Sequence, residues 1–249
     1  MMGNKWRRAS LIYREQGLRE LLRRSATFLH RTYVRPLLPR ATAVYNNVEV
    51  PAARLFDSQV PWEKVERPHY ESGIVKGLES QARPGDTVTI VGGGWGVVTI
   101  RASQEVGPRG EVTTYEASKK QAEAVHESIE KNETKSEVNV CNEPVGDPVR
   151  VWGDETNGEV VDPGTLDACD VLILDCEGSE VEILTQMHME PRVIIVETHG
   201  MYGSSSARIK RILHEDGYRV VGEAVADKAL SEFCTTNDVH VITAINTTV

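Results

Sequence analysis

From residue 87 onward, short apolar runs alternate with longer stretches whose apolar positions recur every three or four residues. Thr87–Val91 is such a run, with Val88, Ile90 and Val91, and it suits a parallel strand covered on both faces. The alternation predicts helix over Val97–Ser103, strand over Glu111–Tyr115, helix over Lys119–Lys131 and strand over Val138–Asn142. It continues with strand over Val171–Asp175, helix over Gly178–Gln186, strand over Arg192–Glu197 and helix over Ser205–Asp216. Between the third and fourth strands, Val149–Trp152 reads as an extra short strand and Asp154–Asp167 as polar loop. Tyr218–Ala224 and Val239–Ala244 are two final strands without a strong helical pattern between them, which predicts an antiparallel hairpin at one sheet edge. The class is α/β: a seven-stranded, mostly parallel Rossmann-like sheet with helices on both faces.

Upstream the pattern changes. Tyr70–Gln81 reads as a helix with Ile74, Val75 and Leu78 inward, and Arg83-Pro84-Gly85-Asp86 as a turn before the central strand. Residues 41–68 carry Pro51, Pro61 and Pro68 and read as an irregular cover or short strands. In the first forty residues Leu18, Leu21, Leu22, Ser25, Phe28, Leu29, Thr32 and Tyr33 follow helical spacing. Arg19, Arg23, Arg24 and Arg31 fall largely on other faces, and Pro36 and Pro39 end the pattern. The predicted division is 1–40, a basic amphipathic extension; 41–69, a cover segment; and 70–249, the α/β domain.

The first strand runs into Gly92, Gly93, Gly94, Trp95 and Gly96. Glycines at a strand's carboxyl end, followed by helix N–H groups, make a place where a small ligand can approach backbone. The dinucleotide spacing G-x-G-x-x-G fails: starting at Gly92 its last glycine falls on Val97, and starting at Gly94 on Thr99. The looser spacing fits the turn of S-adenosylmethionine enzymes. Glu116, ending the next strand, stands where a carboxylate accepts hydrogen bonds from ribose hydroxyls. A glycine turn without a ligand and an ordinary strand-end glutamate are the bland alternatives.

Composition narrows the setting. Hydrophobic residues make up 40% of 249, enough for a sizeable core, and no apolar run reaches membrane-span length. Cys141, Cys169, Cys176 and Cys234 show no metal or redox spacing; Cys141 and Cys176 read as small core residues, and a reducing, cytoplasmic setting follows. The net charge of −9 is unevenly spread. Ten arginines and lysines against two glutamates give residues 1–40 a charge of +8, leaving −17 for the rest. An acidic body of this kind is similar to proteins of salt-loving archaea. It disfavours a nucleic-acid partner, which only the basic N-terminal segment keeps open. The basic helix fits peripheral contact with the inner face of a membrane, or packing on the domain or a partner.

A second constellation follows the fourth strand. In LILDCEGSEVEIL, residues 172–184, Asp175, Glu177 and Glu180 crowd a strand end and the first turn of its helix. Capping and dipole complementarity account for part of this, Glu180 or Glu182 in particular. The segment resembles the D-x-E-G-x-E-x-x-x-L signature of FkbM-type methyltransferases through Asp175, Glu177, Gly178, Glu180 and Leu184. The resemblance spans roughly residues 70–245 and includes the glycine turn, YEAS with Glu116, VCNEPVG at 140–146, and VIIVETHG at 193–200. It implies a class I methyltransferase fold, S-adenosylmethionine as cofactor, and O-methylation of a small hydroxyl compound or sugar. Cofactor contacts then fall to Gly92, Gly93, Gly94, Trp95, Gly96, Glu116, Asn142 and Asp175. One departure stands out: the family's D-x-G-A-N-x-G acid, which helps hold the methionine end, is Ile90 here.

For a hydroxyl acceptor, His199, Asp175 and Glu177 are the candidate bases, with Glu197 placed to orient His199 or a substrate hydroxyl; the alternative for His199 is a cap on its loop. For a carboxylate acceptor no base is needed, and Arg208 is the candidate cation. So many carboxylates allow a metal site, yet no His/Asp spacing commits to one, and no metal ligand is assigned. The best-fitting acceptor is a small molecule or a sugar of a lipid-linked glycan. The alternative is a catalytically weak or inactive scaffold that binds cofactor and docks through its N-terminal helix.

Overall fold

The computed structural model describes residues 17–20, 22–55, 57, 64–147 and 158–248. Leu21, Pro61, the four most N-terminal basic residues and the expected Val149–Trp152 strand lie outside them. By contacts the chain falls into two units, one of residues 1–41 with 52–63, the other of 42–51 with 64–249. Short strands, one of the two readings of residues 41–68, form within that segment.

The described part of the first unit is mainly helical. Helix α1 covers 17–20 and 22–29 and continues as a wider turn, His30–Val34. It closes in a single tight turn, Arg35–Leu37, where Pro36 cannot extend an α-helix. Leu18, Leu22, Phe28, Leu29 and Tyr33 are all more than half exposed. Arg35 forks onto Asp57, with Nε–Oδ1 2.9 Å and Nη2–Oδ2 2.5 Å, and Asp57 also accepts from the Arg54 N–H.

A small sheet follows the order β2-β1-β3, with β1 Arg40–Tyr45, β2 Val48–Arg54 and β3 Val65–Arg67. Asn46 and Asn47 take positive φ in the β1–β2 turn, a conformation asparagine tolerates. Asn132 exchanges two hydrogen bonds with the Glu49 backbone and anchors β2 within the second unit.

The second unit is organised by seven strands: β4 Thr87–Val91, β5 Glu111–Tyr115, β6 Glu137–Cys141, β7 Val171–Leu174, β8 Val193–Glu197, β9 Tyr218–Val225 and β10 His240–Asn246. Their order is β6-β5-β4-β7-β8-β10-β9, parallel except that β10 runs antiparallel to both neighbours. The last strand thus inserts beside β8, and β9 takes the edge. Alternation along β7 and β8 sorts the core: Val171, Ile173, Val193 and Ile195 face one apolar layer, and Leu172, Leu174, Ile194 and Val196 the other.

Helices α2 Ser72–Gln81, α3 Val97–Val106, α4 Lys119–Lys131, α5 Glu180–Gln186 and α6 Ser206–Glu215 agree with the apolar spacing within a few residues. A seventh, α7 Ser231–Asn237, fills the stretch between the last strands where no helix was expected. Its sequence SEFCTTN buries only Cys234, so it carries almost no amphipathic signal.

The strand order reverses direction between β4 and β7. The carboxyl ends of β4, β5, β7 and β8 therefore open on one side of the sheet, the place where open α/β sheets bind ligands.

Candidate functional site

A cavity of about 750 Å³ lies over those strand ends. Its wall includes Gly92, Gly94 and Trp95 after β4, Glu116 after β5, Asp175 and Glu177 after β7, and Glu197 and His199 from β8. Two glycines of the expected cofactor set, Gly93 and Gly96, stand behind this wall. Asn142 also lies outside the lining; its amide donates to the carbonyls of Glu116 and Ala117 and fixes the loop after β5. Arg208 is absent from the wall as well, since its guanidinium donates to the Gly203 carbonyl. Among the described residues Arg67 is the one arginine or lysine that lines the cavity.

The glycine turn is pinned from two sides. Glu116 Oε2 accepts the N–H groups of Gly93 and Gly94 at 2.9 and 3.0 Å, and Oε1 accepts that of Ser118 at 2.8 Å. Burial pushes the Glu116 carboxyl up, against the pull of those three donors. Oε2 has both lone-pair directions used, so Oε1 keeps the remaining acceptor capacity. Gly92, at φ +101°, has the Asp175 carbonyl oxygen only 1.9 Å from where a Cβ would stand. Only glycine lets the tips of β4 and β7 approach so closely.

Two side chains overhang the turn that sequence reasoning did not single out. Glu71 Oε1 lies 3.5 Å, and the Tyr70 hydroxyl 4.0 Å, from the position of a Cβ on Gly94. Glu71 sits just before α2 at φ +50° and ψ +29°, an uncommon conformation for a residue with a side chain. Its carboxyl is packed among protein groups; burial and the Asp175 charge push it up to about 8. Burial and the neighbouring Glu71 raise the Tyr70 hydroxyl well above its ordinary range. Positive φ before a helix leaves no mark in composition, so Glu71 carries no local signal along the chain. Ile90, where the resembled family has an acid, is fully buried in the apolar layer against α2 and α3.

On the far wall His199 is 4% exposed. Its Nδ1 lies 2.7 Å from Glu180 Oε1. Glu180, in the first turn of α5 and fully buried, also accepts from the Cys176 and Gly178 N–H groups. The capping role expected of it is present, with a histidine added. His199 Nε2 faces Asp175 Oδ1 at 3.7 Å and Glu197 Oε1 at 3.6 Å. Glu180, not Glu197, therefore sets the ring's orientation. Burial pulls the imidazole down, but the Glu180 hydrogen bond and the charges of Asp175, Glu180 and Glu177 outweigh it and carry it to about 9. Burial likewise raises Asp175 and Glu197, each further raised by neighbouring carboxylates. Glu177 takes φ +55° in the Asp175–Gly178 turn. Cys176, expected in the core, lies in this turn and lines the cavity.

Asp175, Glu197 and His199 each bring one donor atom into a group whose members lie within 4.8 Å of one another. Linear spacing assigns no metal ligand and cannot see this cluster: its members come from two strand tips that only the sheet brings together. Among the described residues seven carboxyl groups line the cavity, Glu71, Glu116, Glu143, Asp175, Glu177, Glu197 and Asp227, against Arg67 and His199. Such a wall favours a ligand that carries positive charge.

No family model matches the chain, and no curated protein does. Among solved structures it is similar to Trm5b from Pyrococcus abyssi, at 14% identity and a TM-score of 0.51, over 84% of this chain and 56% of that one. It is also similar to the ribosomal protein L11 methylase from Lactobacillus delbrueckii subsp. bulgaricus, at 14% identity and a TM-score of 0.49, over 76% and 90%. The likeness is one of fold. The seven-stranded sheet is the Rossmann-like sheet of class I methyltransferases.

Proposed function

We propose that this chain is an S-adenosylmethionine-dependent O-methyltransferase whose acceptor is a small hydroxyl or carboxylate compound, best a sugar of a lipid-linked glycan. The observation that carries the proposal is the cavity: a glycine turn braced on Glu116 along one wall and a strongly acidic wall opposite. S-adenosylmethionine brings two positive centres, a sulfonium and an ammonium, and the acidic wall complements both. The adenosine end belongs over the glycine turn, with Glu116 Oε1 toward the ribose. Glu71 supplies from the start of α2 the carboxylate that Ile90 lacks, and it is the partner for the ammonium.

The cofactor supplies an activated methyl group. Transfer forms an O–CH₃ bond as the CH₃–S bond breaks, and its electron pair returns to sulfur to give a neutral thioether. The chain's task is to hold the acceptor oxygen in line and remove its proton. His199 is poorly suited as the base, since its ring is held by Glu180 and its proton is retained to about 9. Asp175 and Glu177 are left to accept the proton. With Arg208 outside the wall, Arg67 is the cation for an acidic acceptor. The FkbM-type assignment and a salt-loving archaeal source belong to the same proposal, resting on the Asp175–Leu184 block and the acidic body. The acidic wall also disfavours nucleic acid as acceptor.

No helix among the described residues is long and apolar enough to cross a membrane. The exposed leucines, phenylalanine and tyrosine of α1, interleaved with arginines, support a cytoplasmic protein in peripheral contact with the membrane surface, where a lipid-linked acceptor is presented. A second reading, a cofactor-binding scaffold without turnover, is favoured by Ile90 alone. Calorimetry with S-adenosylmethionine tests the first step. Absence of heat and of any thermal shift, at a salt concentration that keeps the chain folded, would defeat the proposal. Binding without formation of S-adenosylhomocysteine from any hydroxyl or carboxylate acceptor would favour the scaffold.

A further inference from the structure

We infer that Asp175, Glu197 and His199 form a binding site for one divalent first-row cation, and that the acceptor presents two adjacent oxygens to it. The cation site stands on its own geometry; the statement about the acceptor rests on the methyltransferase proposal.

The argument begins with the ring of His199. Glu180 Oε1, 2.7 Å from Nδ1, takes that nitrogen's proton as a hydrogen bond and turns Nε2 toward Asp175 and Glu197. A carboxylate behind one ring nitrogen, with the other nitrogen directed at a cation, is the arrangement that fixes tautomer and orientation in metal-binding histidines. The two separations from Nε2 agree. At 3.6 and 3.7 Å, Nε2 is too far from either carboxylate oxygen for a hydrogen bond. Ligands about 2.1 Å from a shared tetrahedral centre stand about 3.4 Å from one another, close to these values.

A separate observation concerns Glu180. The residue is fully buried, and its second oxygen, Oε2, has no hydrogen-bond partner among the described residues. A buried carboxylate left half-satisfied is costly unless positive charge stands nearby. A proton or a cation on His199 Nε2 supplies it through the ring. The donor set, one imidazole and two carboxylates, suits manganese, iron or zinc better than a purely oxygen-seeking ion.

Three protein ligands leave positions open, as in cation sites that bind substrate. Those positions face the cavity that the glycine turn borders. An acceptor with two neighbouring oxygens, such as a cis-1,2-diol of a sugar or an α-hydroxy acid, can fill both. The cation's charge would ease ionisation of the hydroxyl to be methylated, its proton passing to Glu177. An isolated alcohol would lack this second foothold.

The test uses the full chain and Mn²⁺ alone, titrated with detection of free Mn²⁺ by electron paramagnetic resonance. One Mn²⁺ per chain is expected, with affinity at least tenfold weaker in Asp175→Asn and His199→Ala. Glu180→Gln should weaken it by about tenfold through ring orientation. Circular dichroism checks that each variant is folded. Less than one equivalent bound at millimolar Mn²⁺, or unchanged affinity in folded Asp175→Asn and His199→Ala, overturns the site. Mn²⁺ binding without S-adenosylmethionine binding would leave the site standing and defeat the methyltransferase proposal; the converse would do the opposite. For the acceptor, Mn²⁺-loaded protein with S-adenosylmethionine should methylate a cis-1,2-diol sugar at least tenfold faster than its monodeoxy analogue. Equal rates would overturn the chelating acceptor.

Discussion

The carbonyl oxygen of Asp175 stands 1.9 Å from the point where Gly92 would carry a Cβ. The two residues directly follow β4 and β7, the strands between which the sheet changes direction, and the Asp175 N–H donates to the Val91 carbonyl at 2.9 Å. One contact therefore joins the glycine turn to the acidic wall. Gly92→Ala must displace backbone, at a position whose φ of +101° already disfavours a side chain. A loss of about 3 kcal/mol in chemical denaturation is expected. A loss below about 1 kcal/mol would show that the two tips can separate without cost.

Glu116 braces the turn through three backbone donors. Glu116→Ala leaves those N–H groups unpaired and removes the remaining acceptor. S-adenosylmethionine affinity should fall by tenfold or more, from the loss of charge-assisted hydrogen bonds worth about 1.5–3 kcal/mol. Calorimetry reads this directly, and unchanged affinity would remove Glu116 from the cofactor site.

Glu71 is proposed to replace the acid missing at Ile90. Glu71→Gln should weaken S-adenosylmethionine by about tenfold while sparing 5′-methylthioadenosine, which has no ammonium. Equal losses for both ligands would place Glu71 elsewhere in the mechanism. Ile90→Asp, which buries a carboxylate in the apolar layer, should destabilise the chain without restoring affinity.

Stability of the ligand-free protein should fall as pH rises from about 5 to 9. Burial raises Glu71 from 4.5 to about 8, so the folded chain keeps a proton that the unfolded chain releases near 4.5. His199, carried from 6.5 to about 9, adds the same sign between those values. In each case the unfolded state binds fewer protons across the window, and unfolding becomes easier as pH rises. Thermal midpoints in the presence of a chelator should decline between pH 6 and 8.5, and Glu71→Gln should flatten the decline. A rising midpoint would contradict the charge states assigned to this wall.

The N-terminal segment is tested by flotation on vesicles of anionic lipid, with and without residues 1–40. Loss of flotation on truncation, and at high salt, is expected for arginines lying on headgroups. Equal flotation of both forms would exclude a membrane role for the segment.

Local patterns along the chain specify most strands of the sheet and its ligand-binding side. Apolar runs at Thr87–Val91, Val171–Leu174 and Val193–Glu197 are long-lived local signals, because each buries both faces. The glycine turn and the Glu116 position carry their own steric and chemical meaning. Helix α7 escaped, since one buried cysteine gives no periodicity, and the insertion of β10 beside β8 is a choice of pairing that no local pattern encodes. The site divides the same way. Asp175, Glu177 and His199 were legible as residues at strand ends, but their partners were not. Glu180 reaching His199 across nineteen residues, Glu71 bending over Gly94, and Glu197 closing on Asp175 depend on which strand tips lie side by side. Distances between side chains far apart in the chain are set by packing, and only the folded sheet decides them.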